Sequence, residues 1–127
     1  MIVIVKSDGT ETLPMHQPQV QLYLANVLKS VLKVSGGSKI TNLSQALNDI
    51  SNGAGKASGS YRFRNQPVLH ASAGQLGVSS VTLLFYRQGQ HSYIFAMGSH
   101  KGASSYVLDG YGQTGDLTYK HKATIVL

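Results

Sequence analysis

Two long apolar runs stand back to back in the second half of this chain. Val78 to Arg87 and His91 to Met97 flank the short turn Gln88-Gly89-Gln90. Apolar runs of strand length, rich in β-branched and aromatic residues and broken by a glycine turn, pair as an antiparallel hairpin. That hairpin is the expected centre of a sheet. Ahead of it, Tyr61-Arg62-Phe63-Arg64 alternates aromatic and basic residues with a period of two, as a strand with one face inward does. Behind it, Gly98-Ser99-His100-Lys101-Gly102 is expected to leave the sheet. Tyr106-Val107-Leu108 and Thr118 to Leu127 read as further strands, separated by the Gly110–Gly115 turn region.

The first half follows a different period. Ile2–Lys6 reads as a buried strand and Ser7-Asp8-Gly9-Thr10 as a turn. From Gln19 to Val34, Val20, Leu22, Leu24, Val27, Leu28, Val31, Leu32 and Val34 recur at spacings of three and four that form one helical stripe. Gly36-Gly37 is expected to stop that helix. Thr41-Asn42 is placed to cap a second helix running through Ile50, with Leu43, Ala46 and Leu47 on one face. Ser51 to Ser60, with Gly53, Gly55 and Gly59, reads as a flexible loop. The order predicts a single α+β domain over residues 1–127, its N-terminal strand and two helices packed on a mainly antiparallel β-sheet.

Composition removes several function classes. No cysteine is present, which excludes disulfides, thiolate metal sites and a cysteine nucleophile. No run approaches the length of apolar residues needed to span a membrane. MIVIVKSDGT meets charge too early for a signal peptide and reads as a strand. The five histidines are scattered and Glu11 is the only glutamate, so a zinc site is not expected. No cofactor is expected either. Asp109 and Asp116 sit in turn-like sequence, which argues against paired-carboxylate catalysis. Gly53-Ala54-Gly55-Lys56 lacks the spacing of a phosphate-binding loop.

The charge is one-sided. Residues 1–55 carry four basic residues against three acids, whereas residues 56–127 carry seven against two. Four of the five histidines, six of the seven tyrosines and all three phenylalanines also fall in the second part. A one-sided positive field suits a polyanion. Arg62 and Arg64, two apart in a strand, would share a face, and few carboxylates are present to pair with them. Arg87 ends one strand of the hairpin and His91 begins the other. A glycine-flanked His100-Lys101 would offer an imidazole and an ammonium to one phosphate. His70, in an apolar stretch, reads as a structural histidine.

The second half resembles the sheet of RelE-type toxins, within the wider set of barnase-like and EndoU-like ribonucleases. The likeness covers roughly Ile2 to Lys101 and rests on Tyr61-Arg62-Phe63-Arg64, on Val81-Thr82-Leu83-Leu84-Phe85-Tyr86-Arg87, and on Ser92-Tyr93-Ile94-Phe95-Ala96-Met97-Gly98 followed by His100-Lys101. The segment from Asn65 to Ser80 is longer than the turn usual there. The resemblance implies a metal-independent ribonuclease of the toxin or effector type, cleaving RNA through its own 2′-hydroxyl. It implies His100, Lys101 and Arg64 as catalytic groups, to which the reading of the hairpin end adds His91. Arg62, Arg87 and either Tyr106 or Tyr111 would bind substrate. It further implies RNA, free or ribosomal, as target, an acidic antitoxin or immunity partner, and a cytoplasmic site of action.

Two other readings use the same residues. One is a non-catalytic basic module that binds nucleic acid. The other is a structural or interaction domain using a sheet edge. The enzyme reading requires Arg62, Arg64, His91, His100 and Lys101 to converge on one cleft.

Overall fold

The computed structural model describes residues 1–30, 37–75, 79–102, 105–107 and 125–127; of residues 30, 37, 58–61, 99–102, 105–107 and 125–126 it describes the backbone alone. The elements are β1 (Ile2–Ile4), α1 (Gln17–Ser30), α2 (Gly37–Ser51), β2 (Lys56–Phe63), β3 (Gln66–Ala73), β4 (Val81–Gln88), β5 (His91–Gly102), β6 (Ser105–Val107) and β7 (Ile125–Val126). The strands form one sheet in the order β1-β5-β4-β3-β2, with β6 and β7 also paired to β5. β1 runs parallel to β5 and every other pairing is antiparallel. The fold is therefore α+β, with the expected hairpin as β4 and β5 at its centre. No helix among the described residues is long and apolar enough to cross a membrane.

Local chemistry explains the helix ends. His16 caps α1: the amides of Gln19 and Val20 donate to its carbonyl. The Gln19 side chain reaches back to accept from the His16 amide at 3.0 Å, half of a capping box. α2 ends in a Schellman motif. The Ala54 amide donates to Asp49 O and the Gly53 amide to Ile50 O, with Gly53 in the left-handed region at φ 79°.

Several expectations give way. α2 opens at Gly37, before the Thr41-Asn42 cap, so the glycine read as a stop lies in a helix. The far end of the expected first helix, residues 31–36, lies outside the described residues. β2 already begins at Lys56, inside the expected Ser51–Ser60 loop. Gln66–Ala73 is a full strand, where the sequence suggested only a long turn. Its burial pattern carries no clean alternation, because both of its faces meet protein. Residues 98–102 stay in β5 instead of leaving the sheet.

Apolar side chains pack on both faces of the sheet. On one, Ile2, Ile4, Leu83, Phe85, Ile94 and Met97 meet Val20, Leu24 and Leu28 of α1 and Leu43, Leu47 and Ile50 of α2. On the other, where no described helix packs, Val5, Phe63, Val68, Leu84, Tyr86 and Phe95 form a second core. Phe63 of β2 stacks on Phe95 of β5 with ring centroids 4.1 Å apart and planes 6° apart. Three strand spacings separate these strands, about 14 Å in a flat sheet. The sheet must therefore curl until β2 folds back over its own face. Irregular register between Ala57 and Arg62, and between Leu84 and Phe85, supplies the bends.

The β3–β4 connection is pinned to α2. Asn42 Nδ2 donates to Ser79 O at 2.9 Å. Gly74 lies beneath this bond at φ 102°, and a Cβ there would stand 2.3 Å from Asn42 Nδ2 and 2.8 Å from Ser79 O. Gly74→Ala is expected to lower stability by about 1–3 kcal/mol in urea denaturation; an unchanged midpoint would show that this loop does not fix the α2 contact.

Candidate functional site

The structure distributes the sequence-predicted residues over three places. The first is the β2–β3 turn. Arg64 and Asn65, at φ 52° and 63°, form a two-residue turn of the type I′ kind, so Arg64 is no longer part of the strand. Arginine is strained there, by about 1 kcal/mol or more. Its guanidinium donates to Glu11 Oε2 at 2.6 Å, Gly9 O at 2.9 Å and Tyr86 Oη at 3.4 Å. Burial works against the charge, but the bonds to Tyr86 and Glu11 outweigh it and hold the Arg64 pKa above its ordinary value.

The partner loop is itself prepared. Asp8 Oδ1 accepts from the Thr10 amide and hydroxyl, which turns the chain so that Gly9 O faces Arg64. These bonds hold the Asp8 carboxyl below its ordinary value. Their contribution is present above the unfolded carboxylate value and is lost as pH falls through the lower, folded one. Arg64 thus clasps the curled β2–β3 hairpin to the loop after β1. Arg62 donates to Asn65 O of its own turn. Scarce carboxylates do not leave Arg64 unpaired as expected, because the single glutamate is brought to it from a distant part of the chain. Arg64→Ala is expected to destabilise by about 1–2 kcal/mol in thermal melts; the ion pair itself contributes less than about 1, since a third or more of each side chain is exposed. A loss no larger than that of Glu11→Gln would show that the bonds to Gly9 and Tyr86 are inconsequential.

The second place is the far end of β5. His100 stands opposite Tyr106 in the β5–β6 register, with Lys101 next to it. Tyr111 lies outside the described residues. His91 and His100 are nine residues apart in one strand, which separates their backbones by roughly 25–30 Å. The five residues required for the enzyme reading therefore do not share one cleft.

The third place is a cleft of about 540 Å³ at the β4–β5 turn. Its walls are the cap of α1 (His16, Gln17, Pro18), the end of α2 (Ile50, Ser51, Gly53), the start of β1 (Met1, Ile2) with Met15, and the hairpin end (Arg87, Gly89, Gln90, His91, Ser92). Arg87 is held firmly. Its Nη2 donates to Ile50 O at 3.2 Å and Ala54 O at 2.8 Å, and its guanidinium lies 5.0 Å from the Phe85 ring centre. It satisfies carbonyls at the end of α2 that the Schellman motif has already turned toward it. His91 lines the cleft and also stands edge-on to Tyr93 at 6.4 Å. None of the cleft's described lining residues is acidic. Arg62 and Arg64 do not line it.

Sequence reasoning identified Arg87 and His91 but missed His16. Its signal was Gln19, three residues on, which marks His16 as a helix cap. Among the described residues no group of three or more histidine, aspartate or glutamate side chains is placed to hold a metal ion. Compared with protein families, curated proteins and solved structures, the chain matches none.

Proposed function

We propose that this protein binds RNA through the cleft at the β4–β5 turn. The observation that supports it best is a cleft of nucleotide-accommodating size, lined by Arg87, His16 and His91 and by no acidic residue among those described. The chain's net charge of +6 adds long-range attraction for a polyanion. A second reading, metal-independent cleavage, is favoured by the two histidines in one cleft. In that reading one imidazole takes the proton of a ribose 2′-hydroxyl, O2′ attacks the adjacent phosphorus, and the other imidazole protonates the departing 5′-oxygen. The products are a 2′,3′-cyclic phosphate and a 5′-hydroxyl. Arg87 would offset charge on the phosphorane. This reading goes with a cytoplasmic site of action, in the protein's own cell or a target cell. The same positive face would be the one an acidic neutralising protein covers.

Anisotropy titration of a labelled single-stranded RNA in EDTA tests both readings. Binding is expected to weaken steeply with salt; no binding at low salt would sink the proposal. Under cleavage, cyclic-phosphate ends accumulate and both His16→Ala and His91→Ala lower their rate by about 100-fold or more. Binding without such ends leaves a non-catalytic module.

A further inference from the structure

Ser92 lines the cleft, yet the RNA reading as stated gives it no part. It is only 8% exposed, and its hydroxyl makes no hydrogen bond among the described residues, although a buried hydroxyl ordinarily has one. Unlike Nδ1 of His91, the hydroxyl oxygen is not sealed from solvent. Its direction follows from the sheet. Ser92 stands opposite Arg87 in the β4–β5 register and opposite Ile2 in the β1–β5 register, and residues opposite one another share a face. Ile2 and Ile94, two residues beyond Ser92, pack against the helices, and Arg87 reaches the end of α2. The Ser92 hydroxyl therefore points to the helix side of the sheet, where the cleft lies, with its Cβ roughly 5 Å from that of Arg87. Arg87 commits Nη2 to the carbonyls of Ile50 and Ala54, and its Nε and Nη1 make no hydrogen bond among the described residues. Guanidinium and hydroxyl thus stand side by side with donors left over. On the other side of Ser92 the floor turns apolar. Met15 pairs with Ile2, so Met15, Ile2, Ser92 and Arg87 form one row across the cleft, and all four line it.

We propose that Arg87 and Ser92 form a seat for one phosphate group, and that the row fixes the ligand's direction, with phosphate over Arg87 and Ser92 and the attached nucleoside over Ile2 and Met15. This rests on the RNA reading above, in which the phosphate is a diester within a chain; a nucleoside monophosphate offers the same group. A hydroxyl beside a guanidinium donates to a second oxygen of the phosphate, and hydrogen bonds to a charged acceptor are stronger than neutral ones. The apolar half of the row suits a ribose or base face and disfavours a second phosphate, whose charge would lose its water there.

The test compares wild-type protein with Ser92→Ala, using a 2′-O-methyl oligouridylate, which cannot be cleaved through its 2′-oxygen, together with uridine 5′-monophosphate and uridine. Ser92→Ala is expected to lose about tenfold or more in affinity for the oligonucleotide and the monophosphate. Uridine, without a phosphate, is expected to bind the two proteins alike. The melting temperature of Ser92→Ala is expected to be no lower than that of wild type, because the hydroxyl has no bond to lose within the protein. Amide-resolved NMR gives a second measurement on wild-type protein. Uridine 5′-monophosphate is expected to shift Arg87, Ser92, Ile2 and Met15. Equal oligonucleotide affinity of the two proteins, a lowered melting temperature, or shifts confined to other residues would overturn the seat and leave the RNA reading standing. Binding of the monophosphate but not of the oligonucleotide would keep the seat and overturn the RNA reading. Binding of neither by wild-type protein would overturn both.

Discussion

Arg87→Ala is expected to weaken RNA binding by at least tenfold and to lower stability by about 2–3 kcal/mol. The two losses share one cause. Arg87 is a cation of the cleft, and it is also the donor to Ile50 O and Ala54 O at the end of α2. Without it the α2 end keeps its own Schellman bonds but loses a charged donor to two carbonyls. The guanidinium also covers the Phe85 ring, an attraction an alanine cannot replace. Arg87→Lys separates the effects. A lysine keeps the charge but has a single flexible donor head in place of the planar fork. It is expected to keep more of the binding than of the stability. Chemical denaturation and RNA titration on the same preparations check this. Full binding by Arg87→Ala would remove the cleft from consideration as the RNA site.

Phe63→Ala is expected to cost about 3–5 kcal/mol, the range for emptying a phenylalanine site in a packed core. Phe63 is only 4% exposed and lies flat on Phe95. Its ring closes β2 over the sheet face opposite α1 and α2, so the variant loses the contact that makes the sheet curl. Limited proteolysis is expected to cut the β2–β3 hairpin in this variant first, because the Arg64 clasp cannot hold the fold alone. A cost below about 1 kcal/mol in urea denaturation would mean that β2 does not fold back over the face. Phe63→Leu is expected to fall between the two, since a leucine fills part of the volume without the flat stack.

The residues legible in the sequence are those whose placement depends on near neighbours. Period-two and helical patterns, together with the Gln88–Gln90 turn, were enough to determine the central hairpin, the buried first strand and the apolar face of the second helix; of the first helix's expected stripe, Val20, Leu24 and Leu28 are buried, Leu22 is exposed, and Val31, Leu32 and Val34 lie outside the described residues. Local hydrophobic spacing reports which side of an element meets protein, and that is true whatever the element packs against. Arg87 and His91 were legible for the same reason, as the two ends of a turn readable from five residues.

What only the tertiary structure decided depends on contacts far apart in the chain. β3 was hidden because burial on both faces of a curled sheet erases the alternation by which a strand is recognised. Glu11 meets Arg64 across more than fifty positions, and no spacing rule reaches that far. Strand length, too, decided which basic residues come together: β5 runs on through His100, so His91 and His100 stand at opposite ends of one strand. The sequence by itself determined a basic α+β chain with a central hairpin. The curl of the sheet, which only packing sets, decided that Arg64 became a clasp, and the packing of the helix ends against the hairpin brought His16, Arg87 and His91 to one cleft.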